Sequence, residues 1–328
     1  QQTYSSPPSC FFVSIEYPIL PDTSVISSQK RGQETSWKIK VDFFPDIVYY
    51  GCVLLFYLRG TVMEFIFHYI AVTLYPVAAI VICGIIAWVC KHLFMELLGY
   101  KGYRAVLAAS IIGTPVHELG HAGMCLLFGH RIEELVLWQP WAGDGRLGYV
   151  EHSYNSNRLY QRLGNLFIGA GPIFSGMAVL SLLLWLAFPD TWSAYTAALG
   201  TIAEGNGSVL KIIGTGLGML PDMIAEFGSE SGSVWLRLLS VLAMLSVSLH
   251  ITLSPADVKN SLNALPLYLL ITLAVTAVSS VFGAVGLVLG ALREFNAFMT
   301  AMFTVVLIFS AALAALALLI RIVKNSLP

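Results

Sequence analysis

The chain has 328 residues, 57% of them hydrophobic and only 11% charged, against about 25% charged in an ordinary soluble domain, and its mean hydropathy is +0.76. A formal net charge of −1, with no Lys/Arg cluster interleaved with aromatics, excludes nucleic acid as a partner. The composition is that of an all-α polytopic membrane protein whose surroundings are the lipid bilayer.

Residues 1–45 are polar and mixed, with turn-forming stretches around two short alternating runs, and read as a small appendage outside the membrane. The apolar run 47–58 is too short to span a bilayer core of about 30 Å, and with the first span it forms a segment over 46–103. The remaining apolar runs predict about six transmembrane helices, near 65–90, 104–128, 162–188, 234–253, 265–292 and 296–322. After the second, alternating β-formers flank Ala142-Gly143-Asp144-Gly145, a hairpin signal over 129–157. Residues 189–233 read as a long polar connection with one amphipathic helix within it, and 266–328 as two C-terminal spans. The five cysteines (Cys10, Cys52, Cys83, Cys90, Cys125) contain no C-x-x-C pair. They read as reduced packing residues, with neither a disulfide framework nor a cysteine zinc site expected.

Lys and Arg set the orientation of the spans. Twelve fall on the side of the hairpin and both termini and six on the other. The hairpin and both termini are therefore expected in the cytoplasm, with 189–233 on the opposite side and the plasma membrane as the location.

Within the second span, His117-Glu118-Leu119-Gly120-His121 is an H-E-x-x-H motif. Residues i and i+4 share a helix face, so both imidazoles can reach one zinc ion, and Glu118 is placed to act as general acid and base. Charged groups at the centre of a spanning helix cost about 2.5–3.5 kcal/mol on insertion scales, which favours function over incidental packing. Gly120 and Gly123 would admit a close neighbour, and Pro115 would loosen the preceding turn. A catalytic zinc needs a third protein ligand. Position 127 is Leu, and His130 comes too late on the helix to join without a break. The candidates are Asp257, His250, His152 and Glu151. Asp257 follows Pro255 at the end of the fourth span, which runs toward the same side as the second, so topology favours it. The alternative role for Asp257 is to cap the next helix, and that for His250 is a polar group satisfied within the bundle.

These features resemble the site-2 protease family of intramembrane zinc metalloproteases: HELGH within a transmembrane helix, a following hairpin, Gly169-Ala170-Gly171-Pro172 in the next span, and an Asp after a proline near the end of the span after that. The resemblance covers residues 104–265. It implies a three-helix catalytic core holding zinc nearer the cytoplasmic face, with His117, His121 and Asp257 as ligands and Glu118 as general base. Two departures mark a divergent branch: Ser175 stands where the family usually carries Asn, and Asp257 is followed by Val258 instead of Gly. The expected function is that of an intramembrane metalloendopeptidase cleaving a membrane protein substrate, with the hairpin region 133–154 offering an edge to it. The alternatives are a non-proteolytic zinc-binding membrane protein with a structural or regulatory role, and a metal or proton transporter. No repeated halves or paired broken helices support transport.

Overall fold

The computed structural model describes residues 44–143, 145–204, 209–229 and 232–326. All but the last two residues of the expected appendage at 1–45 lie outside them. The chain divides into two compact units, residues 1–54 and 55–328, and the site lies wholly in the second.

Nine helices and one hairpin make up the described chain, in the order α1 (Phe44–Leu98), α2 (Tyr100–Leu127), β1 (Arg131–Val136), β2 (Tyr149–Ser153), α3 (Leu159–Ala187), α4 (Pro189–Glu204), α5 (Val209–Phe227), α6 (Val234–Ser248), α7 (Pro255–Leu262), α8 (Leu265–Val281) and α9 (Val285–Ser326). Among the described residues, three segments are long and apolar enough to cross a membrane: Gly60–Leu98 in α1, α3, and α9. The pair α7 and α8, bent by 51° at a short break, would make a fourth if it counts as one crossing. Large apolar side chains such as Phe67, Ile82, Trp185, Val281 and Leu319 stand exposed on these helices, as expected where the surroundings are lipid and not water.

The count of six expected spans is not confirmed among the described residues, and three of the six differ from the helices found. The fourth, expected over 234–253, is the 15-residue helix α6, because the chain turns at 249–254 before Pro255 opens α7. The fifth does not run on to 292: α8 stops at Val281, Gly283 takes a positive φ of 64°, and α9 then continues for 42 residues. Helix α2, with its histidines and glutamate, is not among the segments that meet the spanning criterion. The expected polar connection at 189–233 is mostly two helices, α4 and α5, packed against each other and on α9. Gly216 of α5 lies directly on Thr304.

The core is formed by α3, α6 and α9, where Ile173, Leu180, Leu184, Met244, Val247, Phe303 and Val305 pack together. Helix α3 is the hub. It packs against α2, α6, α7 and α9, and its glycines let two of those neighbours come close. A Cβ on Gly171 would stand 2.5 Å from the carbonyl oxygen of Gly120 in α2. One on Gly169 would meet the α7 backbone at the Asp257 oxygen, 2.6 Å away. Helix α1 is stitched to α8 by polar groups: Tyr268 donates to the Thr73 carbonyl at 2.6 Å and Thr73 to Thr272 at 3.0 Å.

The expected hairpin is present. Strands β1 and β2 pair antiparallel, with Ile132 opposite His152, Leu135 opposite Val150, and an irregularity between Ile132 and Glu134. Trp138 in the connection donates its indole N–H to Ser110 of α2 at 2.9 Å, tying the hairpin to that helix, while Trp141 stands 86% exposed.

Candidate metal centre

Helix α2 runs unbroken through Pro115, so His117 and His121 stand one turn apart on one face. Each imidazole is fixed by its Nδ1. That of His117 lies 2.8 Å from the carbonyl oxygen of His250, and that of His121 lies 2.7 Å from the carbonyl oxygen of Ile168 in α3. A carbonyl can only accept, so each Nδ1 carries the proton and, in the neutral ring, each Nε2 presents a lone pair. Those two Nε2 atoms are 3.2 Å apart. Two lone pairs at that distance repel unless a metal ion lies between them or one ring takes up a second proton.

Asp257 completes the set. Its Oδ1 is 3.1 Å from His121 Nε2 and its Oδ2 is 3.7 Å from His117 Nε2, and the donor atoms of the three residues lie within 4.8 Å of one another. Donors about 2.0–2.1 Å from a tetrahedral zinc stand roughly 3.3 Å from each other, so these separations suit one such ion. The capping role considered for Asp257 falls to another residue, with Asp257 as its reciprocal partner. Ser254 is the N-cap of α7, its Oγ accepting from the Asp257 N–H at 3.2 Å, while Asp257 Oδ2 accepts from the Ser254 N–H at 2.7 Å. This capping box aims the carboxylate and leaves Oδ1 for the histidines.

Glu118 is 6% exposed and within electrostatic reach of His117, His121 and Asp257. The hairpin covers it: a Cβ on Gly148 would stand 2.9 Å from Glu118 Cγ and 2.8 Å from Thr114 Cγ2. The other third-ligand candidates lie elsewhere. Glu151 sits exposed on β2, paired in register with Glu134. His250 serves the centre through its backbone carbonyl; its ring bonds the Ser246 carbonyl at 2.9 Å and packs against Gly113. Ser175 is engaged in packing, donating to the Val116 carbonyl at 2.8 Å beside Gly120. Of the two α2 glycines read as close-approach points, Gly120 is one and Gly123 faces open space.

The remaining candidate, His152, belongs to a second cluster that the sequence reading missed. Its Nδ1 lies 3.1 Å from Nδ1 of His130, and both come within 4.8 Å of Cys125 Sγ. Cys125 is free and buried, as expected of a reduced packing residue, but its thiol has two imidazoles beside it. His130 does come too late to join His117 and His121, but the helix ends between it and Cys125. Gly129, with φ at 69°, closes α2 in a Schellman turn. The Gly129 N–H bonds the Leu126 carbonyl at 3.2 Å and the His130 N–H bonds the Cys125 carbonyl at 2.8 Å. The signal was there to be read: a glycine two residues past a helix end, between a cysteine and a histidine. Asn165 on α3 was also missed. It is fully buried and its amide has no partner among the described residues.

Compared with known protein families, with curated proteins and with solved structures, the chain matches none of them.

Proposed function

We propose that the chain is an intramembrane metalloendopeptidase of the site-2 protease type, hydrolysing a peptide bond in a transmembrane or membrane-adjacent substrate. The observation that carries the reading is the convergence of His117, His121 and Asp257 beside a buried Glu118, each imidazole fixed by a carbonyl from another segment. A site for binding alone needs the three donors but no buried carboxylate against them. The donor set of two imidazoles and one carboxylate matches zinc of the catalytic kind, with a position left open. When bound, zinc supplies Lewis acidity and brings the pKa of water down to about 7.

The chain's own residues do the rest. His117, His121 and Asp257 hold the ion. Glu118 takes a proton from the attacking water and delivers it to the leaving amine as the C–N bond breaks. Its burial under the hairpin keeps bulk water from competing for that proton. A two-stranded sheet leaves the outer edge of each strand unpaired within the sheet, and the hairpin reaches Glu118 at Gly148. An extended substrate segment added to that edge would come to the base. A substrate helix must unwind first, because its carbonyls are engaged within the helix.

The test is Glu118→Gln. Zinc content by metal analysis should stay that of wild type while cleavage of membrane substrates falls by about 10²–10⁴-fold, the usual contribution of a general acid–base group. Equal zinc in both proteins with no cleavage by either across a broad substrate panel points instead to the non-proteolytic zinc protein.

A further inference from the structure

We propose that Cys125, His130 and His152 form a second metal site, which takes a zinc-class transition-metal ion and fastens the hairpin to the end of α2. The inference stands apart from the proteolytic reading, since it rests on different residues and a different donor set.

The three donors come from three pieces of backbone. Cys125 is on α2 and 0% exposed, His130 follows the Schellman turn and is 4% exposed, and His152 is on β2. His130 is held from several sides. Its Nε2 lies 2.8 Å from the Gln161 carbonyl oxygen, so that nitrogen donates and Nδ1 presents its lone pair to the cluster. Its ring stacks on Tyr154 with centroids 4.8 Å apart, and Gly164 of α3 leaves room beside Nε2. Gln161 fixes the turn itself, its side-chain amide donating to the Gly129 carbonyl at 2.6 Å and its Oε1 accepting from the Asn155 N–H at 2.7 Å. A histidine fixed by one ring nitrogen with the other facing a partner imidazole and a thiol has the orientation of a metal ligand.

The separation of the two Nδ1 atoms, 3.1 Å, is close to the roughly 3.3 Å of two nitrogens on a tetrahedral zinc. A direct hydrogen bond from His152 to His130 would account for that pair but not for the buried thiol brought against it. One thiolate and two imidazoles suit zinc, or cobalt in its place. The site is distinct from the first: Cys125 follows His121 by four residues, about 6 Å along the helix, and His121 is already turned to Asp257. Its consequence is mechanical. The metal joins β2 to α2 one turn from the first centre, and the connection entering β2 carries Gly148, which covers Glu118.

Cobalt(II) separates the two sites, because only a thiolate ligand gives a near-ultraviolet sulfur-to-cobalt charge-transfer band. The full chain in detergent, stripped of metal and titrated with cobalt, should take up two equivalents and show that band. His117→Ala should lose one equivalent and keep the band, whereas Cys125→Ser or His152→Gln should lose the band and keep the first site's visible absorption. Because variants of the cluster can misfold, the same titration is run on a chain in which Cys10, Cys52, Cys83 and Cys90 are alanine and the cluster is intact; the band should persist. The proposal is overturned if wild type shows no thiolate band, or if the band disappears from the chain that keeps only Cys125.

Discussion

At the scale of single residues, the centre depends on two backbones meeting at Gly120 and Gly171. Helix α3 delivers the Ile168 carbonyl that orients His121, and it can do so only because neither glycine has a side chain at the crossing. Gly120→Ala would place a methyl group 2.5 Å from the Gly171 carbonyl oxygen and against Ser175 Oγ. Backbone atoms cannot step aside as a flexible side chain can, so the helices must separate. We expect a loss of about 1–3 kcal/mol in stability, the usual cost of overpacking, and weaker zinc binding in the same variant, read by thermal unfolding and metal titration. Gly123→Ala is the control. Nothing stands within 4 Å of its Cβ, and replacing a mid-helix glycine by alanine is worth up to about 1 kcal/mol, so this variant should be as stable as wild type or more so. If both substitutions behave alike, the close crossing is not what positions His121.

At the scale of elements, the corner between α6 and α7 does two things with one carboxylate, and substitution separates them. Asp257→Asn keeps an oxygen for the Ser254 N–H and so preserves the start of α7, but the amide is a poor replacement for a charged metal ligand. Asp257→Ala loses both. Zinc occupancy should fall in both variants, while the alanine variant should be less stable by about 0.5–1.5 kcal/mol more, the usual net value of one hydrogen bond. Undiminished zinc in the asparagine variant would remove Asp257 from the ligand set. This corner also shows how far sequence reaches. His117, Glu118 and His121 were legible because helical spacing is local. Asp257 was legible because Pro255 breaks the apolar run at its end and topology turns the carboxylate toward α2. The Ile168 and His250 carbonyls were not, since every residue has a carbonyl and only the packed fold decides which one faces a ring. His152 was weighed for the wrong site because a strand's register with its partner, not its distance along the chain, decides where its side chains arrive. The end of α6 at Ser248 and the break at Gly283 were hidden for another reason: apolar composition continues through both, and composition alone does not show where a chain bends.

At the scale of the whole molecule, the proposed function constrains how the chain sits in its membrane. A peptide-hydrolysing centre needs water, and the polar elements around this one are the hairpin and the capped start of α7, which α3 holds close to the C-terminal end of α2. On the six spans expected from the sequence, Lys and Arg fall twelve to six in favour of the hairpin side, and cytoplasmic loops carry that excess. Charge and hydration therefore lead us to propose that the hairpin faces the cytoplasm. Trp141, 86% exposed in the hairpin connection, is the position to test. With Cys10, Cys52, Cys83 and Cys90 replaced by alanine and the buried Cys125 kept, Trp141→Cys should react with a membrane-impermeant thiol reagent in inverted vesicles and stay unlabelled in intact cells. A cysteine at Ser326, exposed at the end of α9, should follow it. Labelling of the Trp141 position from outside the cell would reverse the orientation and open the water path on the opposite face. Labelling of the two positions from opposite sides would mean an odd number of crossings between them. That outcome would decide how α3, α6 and the bent pair α7–α8 divide the membrane among themselves.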